Sequence, residues 1–351
     1  MADKVVLAFS GGLDTTVAIP WIKEKYGLDV VTLTIDIGQP KDWEAVRQKA
    51  LKCGAVKALV KDAKELFAHS IVWPALQAGA LYEGKYPLAT ALGRPLIAKL
   101  LVDAAKEEGA VAVSHGCTGK GNDQVRIDLA VQLLGPGLKV IAPVREWKMT
   151  RDEEIKYAKA QGLDVGEGSS GTYSTDENLW GRSIECGPLE DPWAEPPADA
   201  FAWTKDPAAA PAQPAEIVID FEHGVPVALD GRKLDPVPLV QALNKLAGEH
   251  GVGRIDHVEN RLIGIKSREL YEAPAAVVLH EAHRELEGLT LSKEQLRFKA
   301  LVAPQYADLI YNGLWFTAFH RDLRAYVLST QEHVTGAVRM RLHRGRAVAA
   351  G

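Results

Sequence analysis

A short apolar run, Lys4–Phe9, ends in Ser10-Gly11-Gly12 and gives way at once to a helical pattern over Asp14–Tyr26, with Ile19, Ile22 and Tyr26 at helical spacing. A strand that stops on two glycines and feeds a helix leaves the chain few options. The first amides of the helix have no partner within it, and the helix dipole favours negative charge at that end. Glycines at 11 and 12 let the backbone approach an anion with no Cβ in the way. Ser10, Thr15 and Thr16 add hydroxyls. The turn therefore reads as a phosphate loop; a plain strand–turn–helix with a capping residue is the reading that gives it no function. Asp14 is the odd member, a carboxylate that needs a cation or a backbone amide to sit beside phosphates. The loop is neither the G-x-x-x-x-G-K-[ST] of a Walker A sequence nor the G-x-G-x-x-G of a dinucleotide fold.

The alternation continues. Val30–Ile35, Ala55–Val60, Val111–Ser114 and Lys139–Ala142 read as strands, and Asp42–Cys53, Lys64–Val72, Arg94–Glu108 and Asp123–Leu134 as helices. Strands and helices in turn predict an α/β domain, a mostly parallel sheet covered on both faces. The character changes near Gly162, Gly166, Gly168 and Gly171, and Gly187–Pro214 is too rich in proline for regular structure. Beyond it, strand-like runs at Glu216–Phe221, Pro226–Leu229, His333–Leu342 and Arg346–Ala350 mix with helical runs. These are Leu239–Glu249, Ala275–Leu286, Lys293–Tyr311 with a break expected at Pro304, and Phe316–Ser329. The 351 residues thus divide into a nucleotide-binding domain over 1–165 and a mixed α+β domain over 166–351.

The net charge of −5 gives no broad basic field for nucleic acid. No stretch approaches the roughly 20 apolar residues of a membrane helix. Cys53, Cys117 and Cys186 form neither a disulfide framework nor a CxxC metal site, which points to reduced thiols and a cytoplasmic location. His280-Glu281-Ala282-His283 falls one residue short of H-E-x-x-H and has no third ligand in view, so a surface helix is the expectation there. Trp180, Trp193 and Trp203 stand in acidic or neutral surroundings and read as packing residues rather than base-stacking ones.

A second glycine-rich turn, Ser114-His115-Gly116-Cys117-Thr118-Gly119-Lys120-Gly121-Asn122-Asp123-Gln124-Val125-Arg126, follows the strand at 111–114. It places an amide, an acid and an arginine at one helix start. Such a set can hold a zwitterionic amino acid, the guanidinium forking onto its carboxylate and the acid taking its ammonium. A glycine-rich surface loop with a capped helix is the bland alternative.

The first loop resembles the S-G-G-x-D-[ST] pyrophosphate loop of the ATP pyrophosphatase superfamily, and the second is very similar to a run in argininosuccinate synthases. Further matches to that family are collinear: Ile37–Gln39, Tyr86-Pro87-Leu88 with Arg94-Pro95, Ser174–Trp180, and Val258–Arg261 running to Lys266–Arg268. The resemblance implies an adenine nucleotide alpha hydrolase-like sheet domain and a synthetase domain. It also implies adenylation of the citrulline ureido oxygen by ATP with Mg²⁺, then displacement of AMP by the amine of aspartate. It carries ATP contacts onto Ala8, Phe9, Ser10, Gly11, Gly12, Leu13, Asp14, Thr15, Thr16, Ile35 and Gly116. Aspartate contacts fall on Thr118, Asn122 and Asp123. Citrulline contacts fall on Tyr86, Asn122, Arg126, Ser174, Ser183, Glu259 and Tyr271. No side chain stands out as a general base; Asp14 and Asp123 are the candidates. Thr16 stands where Ser is usual, Cys117 where Ala is usual, and Ala91 where some relatives carry Ser or Thr. Family members form tetramers with a C-terminal helix reaching across subunits. This sequence stops at Gly351, so a homo-oligomer weaker than the tetramer is expected. A tRNA-thiolating enzyme of the same superfamily and a non-catalytic nucleotide-binding homologue are the alternatives.

Overall fold

The structure, a computed structural model, describes residues 2–119, 121–164 and 172–351. Lys120, the glycines at 166, 168 and 171, and the boundary expected at 165/166 lie outside the described residues. The chain runs β1 (Lys4–Ala8), α1 (Leu13–Tyr26), β2 (Asp29–Asp36), α2 (Trp43–Lys52) and β3 (Lys57–Asp62). Two short helices, α3 (Lys64–Phe67) and α4 (Trp73–Ala78), follow, joined by a π-helical turn over Ala68–Val72. Then come α5 (Ala89–Glu107), β4 (Ala112–Ser114), α6 (Asp123–Leu134), β5 (Lys139–Ile141), α7 (Pro143–Trp147) and α8 (Arg151–Ala160).

The described residues form two compact units, 1–63 with 94–170, and 64–93 with 171–351. A single cut at 165/166 does not capture the excursion of 64–93 into the second unit. The first unit is built on a five-stranded sheet in the order β3-β2-β1-β4-β5, parallel throughout. Its middle strands are buried on both faces: β1 is a continuous apolar run, and in β2 the alternating Thr32 and Thr34 are as buried as Val31, Leu33 and Ile35. Val5, Val6 and Leu7 keep no exposed surface, and burying each contributes about 1.5–3 kcal/mol. Ile19 and Ile22 of α1 pack with Val5, Leu7 and Phe9 in one core cluster, so the helix after the first loop is pinned to the strand before it. β1 is flanked by β2 on one side and β4 on the other, so the order reverses there. That reversal opens a crevice at the carboxyl ends of β1 and β4.

The second unit continues with β6 (Ser174–Asn178), β7 (Gly181–Glu185), β8 (Ala215–Glu222), β9 (Val225–Leu229), β10 (Arg232–Lys233), α9 (Pro236–Glu249), β11 (Arg254–Asn260) and β12 (Lys266–Glu272). It closes with α10 (Pro274–Thr290), α11 (Lys293–Tyr311), α12 (Ala318–Gln331), β13 (Gly336–His343) and β14 (Arg346–Ala349). One antiparallel sheet runs β10-β9-β8-β13-β14 and the other β11-β12-β7-β6. Helix α11 is unbroken at Pro304. Pro304 and Ala300, four residues earlier, are both exposed, so the carbonyl that proline leaves unbonded can be hydrated. Residues 187–214 hold only short 3-10 turns, as their prolines predict. Trp180 is buried, but Trp193 is 95% exposed and packs no core. His283 is buried rather than superficial, its Nε2 2.8 Å from Gln331 Oε1. Burial pushes His280 down to about 3 and His283 to about 4.

Candidate active site

The first unit brings both glycine-rich loops to the crevice. Ala8 closes β1, Phe9 turns its ring into the core, and Ser10–Gly12 leads into α1 with Gly12 as its N-cap. The loop is held by its own hydroxyls. Ser10 Oγ accepts the Gly12 amide at 3.3 Å and lies 3.2 Å from Thr15 Oγ1, which donates to Gly12 O at 3.3 Å. Two lysines also hold it: Lys41 Nζ donates to Ser10 O at 2.9 Å and Lys49 Nζ to Gly11 O at 2.8 Å. They bring positive charge to the turn, a contribution the motif reading missed. Thr16 departs from expectation: its hydroxyl is fully buried and finds no partner among the described residues. Its location is the interior of the helix packing rather than the loop surface.

Asp14 sits in the first turn of α1, and Glu154 of α8 lies against it. Burial, then the charge of Asp14, push the Glu154 carboxyl up to about 7. A Glu154 that keeps its proton offers Asp14 a hydrogen bond, which answers part of the question of what offsets that carboxylate. The second loop closes over the first. A Cβ on Gly116 would lie 2.8 Å from the Thr15 methyl, so only glycine allows this approach. Ile35, near the end of β2, is 7% exposed.

At the start of α6, Asp123 is clamped between two guanidinium groups, Arg94 Nη2 at 2.7 Å and Arg126 Nη1 at 2.8 Å. Burial opposes its ionisation, but the two cations win and hold the carboxyl well below the usual range. A carboxylate this acidic is a poor proton acceptor, so Asp123 suits binding better than general-base work. Arg126 is 5% exposed. Asn122 is the N-cap residue of α6, and Thr118 is exposed on the loop. Arg94 stood in a recognised motif without a role; its clamp on Asp123 supplies one.

The second unit carries Ser174, Ser183, Glu259 and Tyr271 on the β11-β12-β7-β6 sheet, with Tyr86 packed against it. Ser183 on β7 is in register with Tyr271 on β12 and with Asp176 on β6. Ser174 opens β6 and is exposed. The rings of Tyr86 and Tyr271 stack at 3.8 Å. Glu259, 2% exposed, accepts the hydroxyl of Tyr271 on one carboxylate oxygen and that of Tyr311 on the other. Glu269 lies 3.2 Å from the Tyr271 hydroxyl. Burial, together with Glu259 and Glu185, pushes the Glu269 carboxyl up to about 7. Arg261 bonds Glu185 and sits 3.1 Å from Glu269. Arg261 thus pairs with Glu185 and Glu269, while Glu259 bears on Glu269 by charge alone, so carboxyls outnumber cations in this cluster. Tyr311 and Glu269 were not singled out from the sequence. Ala91 is fully buried in α5.

The family model described as the arginosuccinate synthase N-terminal HUP domain matches residues 4–164, and that of the C-terminal domain matches 173–351. An argininosuccinate synthase of Dehalococcoides mccartyi is 58% identical over 345 residues, covering 98% of this chain and 85% of that protein. Those of Oceanobacillus iheyensis and Symbiobacterium thermophilum are 56% and 58% identical over 349 residues, covering 99% of this chain and 84% and 87% of theirs. Both family models and relatives of this identity over nearly the whole chain lead to one conclusion: the chain belongs to the argininosuccinate synthase family.

Proposed function

We infer that this chain is an ATP-dependent carbon–nitrogen ligase that forms argininosuccinate from citrulline and aspartate, releasing AMP and pyrophosphate. The observation that carries this is the pair of glycine loops at the switch point, packed so closely that Gly116 tolerates no Cβ beside Thr15. The ureido oxygen of citrulline is a weak nucleophile and its carbon a weak electrophile. Attack of that oxygen on the α-phosphorus expels pyrophosphate and gives citrullyl-adenylate. The aspartate amine then bonds to the activated carbon, AMP leaves with the former ureido oxygen, and the amine's protons pass to solvent. The protein's work is alignment and charge stabilisation. The Ser10–Thr15 loop, with Lys41 and Lys49 behind it, takes the phosphates of MgATP, whose metal is held mainly by phosphate oxygens. Ile35 and Gly116 flank the nucleotide; Thr118, Asn122 and Asp123 hold aspartate. The family resemblance assigns citrulline to Tyr86, Asn122, Arg126, Ser174, Ser183, Glu259 and Tyr271. Pyrophosphate release requiring both citrulline and aspartate is the expected result of a turnover assay; release with ATP alone contradicts the reading.

The thiols argue against sulfur transfer. Cys53 is buried, burial with the Asp123 charge pushes Cys117 up to about 12, and desolvation with the charges of Glu185 and Glu190 raises the exposed Cys186, leaving little thiolate at neutral pH. No helix of the described residues is long and apolar enough to cross a membrane. Exposed apolar side chains at Leu289, Phe298 and Leu301 support a homo-oligomer. Sedimentation over a dilution series is expected to show a species heavier than one chain; a monomer at micromolar concentration would contradict it.

Two further outcomes are expected. Arg126→Ala raises the KM for citrulline far more than that for ATP, by about 1.5–3 kcal/mol for the lost charge-assisted bond; equal losses for both substrates count against its role. The Glu269 proton competes with the citrulline ammonium. Raising the pH through about 7 removes that proton, makes the carboxyl cluster more negative, and lowers the KM for citrulline. Glu269→Gln flattens this dependence, and an unchanged profile in that variant excludes Glu269 as its source.

A further inference from the structure

Among the residues beside the second loop, His115 has no role in binding as assigned, yet its surroundings are fully specified. It is 1% exposed at the end of β4. Its Nδ1 accepts the backbone amide of Cys117 at 3.1 Å, and its Nε2 lies 2.8 Å from Asp128 Oδ1. An imidazole that accepts at Nδ1 and faces a carboxylate at Nε2 is the neutral Nε2–H tautomer, donating to Asp128. The other oxygen of Asp128 takes Arg145 Nη1 at 2.8 Å, and the same nitrogen reaches Gln124 Oε1 at 3.0 Å. Gln124 Nε2 in turn donates to Gly119 O at 2.7 Å. The chain of bonds leaves the loop at Cys117 and returns to it at Gly119, with Thr118 held between.

We propose that His115 is a positioning residue which, through the Cys117 amide, sets the loop conformation that presents Thr118 to aspartate. The proposal rests on the reading that this loop holds aspartate. A loop of Gly116-Cys117-Thr118-Gly119 has two glycines and little intrinsic preference, so its shape must come from outside contacts. A side-chain acceptor bonding the amide two residues on is what an Asx turn does, and here the imidazole Nδ1 takes that part. The anchor at the other end, Gln124, lies on α6 one turn before Asp128, so both ends of the loop are referred to one helix.

The geometry predicts an asymmetry between two conservative substitutions. In His115→Asn the side-chain oxygen falls near the position of Nδ1 and keeps the bond to Cys117. In His115→Gln the longer side chain reaches toward Asp128 and leaves the amide without its acceptor. Steady-state KM values for aspartate, citrulline and ATP, measured on both variants beside Thr118→Ala and Gln124→Ala, test this. His115→Gln is expected to raise the KM for aspartate about ten-fold, the equivalent of one lost hydrogen bond, with citrulline and ATP within two-fold. His115→Asn is expected to recover most of that loss, and Gln124→Ala, a half-exposed side chain whose removal leaves the fold intact, to raise the aspartate KM several-fold. Equal impairment by Asn and Gln, or losses shared by all three substrates, would overturn the proposal, as would an unchanged aspartate KM in the His115 and Gln124 variants when Thr118→Ala raises it. If Thr118→Ala itself leaves the aspartate KM unchanged, the aspartate reading of the loop fails, and the proposal with it.

Discussion

Replacing Gly12 by valine is expected to abolish pyrophosphate release, by at least about 1,000-fold, while the melting temperature stays within a few degrees of the parent. The two halves of this result have separate causes. Gly12 has φ −74° and ψ 172°, an extended conformation that valine adopts readily. A Cβ built there meets nothing nearer than Ser10 Oγ at 3.4 Å. The fold therefore has no reason to object. The space the branched side chain would fill lies at the amino end of α1, where the proposed function has the backbone amides reach phosphate oxygens at hydrogen-bond distance. Losing several such contacts together costs more than any single one, and misplacing the α-phosphorus compounds the loss. Pyrophosphate release near the parent rate by a folded Gly12→Val protein would remove this loop from the site.

Glu259→Gln is expected to raise the KM for citrulline about 100-fold and to leave that for ATP nearly unchanged. Glu259 is buried and accepts two phenol hydroxyls, from Tyr271 and Tyr311. Glutamine keeps its shape and one acceptor oxygen, so the sheet is preserved. The change removes the charge proposed to face the citrulline ammonium, worth on the order of 3 kcal/mol in a buried setting. Isothermal titration with citrulline separates this loss of binding from a loss of chemistry. An unaltered affinity would mean that the ammonium lies elsewhere, with Glu185 and Glu269 the nearest alternatives.

The first unit was readable because its strands are buried on both faces. Lys4–Phe9 is a continuous apolar run and Val30–Ile35 is rich in β-branched residues, and the observed strands differ from them by a residue or so at each end. The second unit was harder. Strands β6, β7, β11 and β12 were not anticipated from periodicity. Their sequences, STDEN, GRSIE, RIDHVEN and KSRELYE, are charged; few apolar residues, Ile184 and Leu270 chief among them, are buried in a small core cluster, and the strands complete themselves by pairing with one another. These strands carry Ser174, Ser183, Glu259 and Tyr271, which is why those residues came into view only through resemblance. Helix α8 was missed although Thr150 and Glu153 form a capping box, a signal present in the sequence. The break expected at Pro304 is absent: α11 runs on, and Pro304 and Ala300 both lie on its exposed side, where water can replace the lost bond. Arg94 and Tyr311 act through contacts distant in sequence, Arg94 on Asp123 and Tyr311 on Glu259, and no local pattern encodes such pairings.

The fate of the ureido oxygen tests the central claim most directly. Citrulline labelled with ¹⁸O at that position is incubated with the protein, MgATP and aspartate, and the AMP is examined by mass spectrometry. Adenylation of the ureido oxygen predicts one labelled oxygen in each AMP formed, with pyrophosphate unlabelled and argininosuccinate free of label. AMP without ¹⁸O, or label in pyrophosphate, would contradict attack of citrulline on the α-phosphorus and with it the function assigned to the two loops.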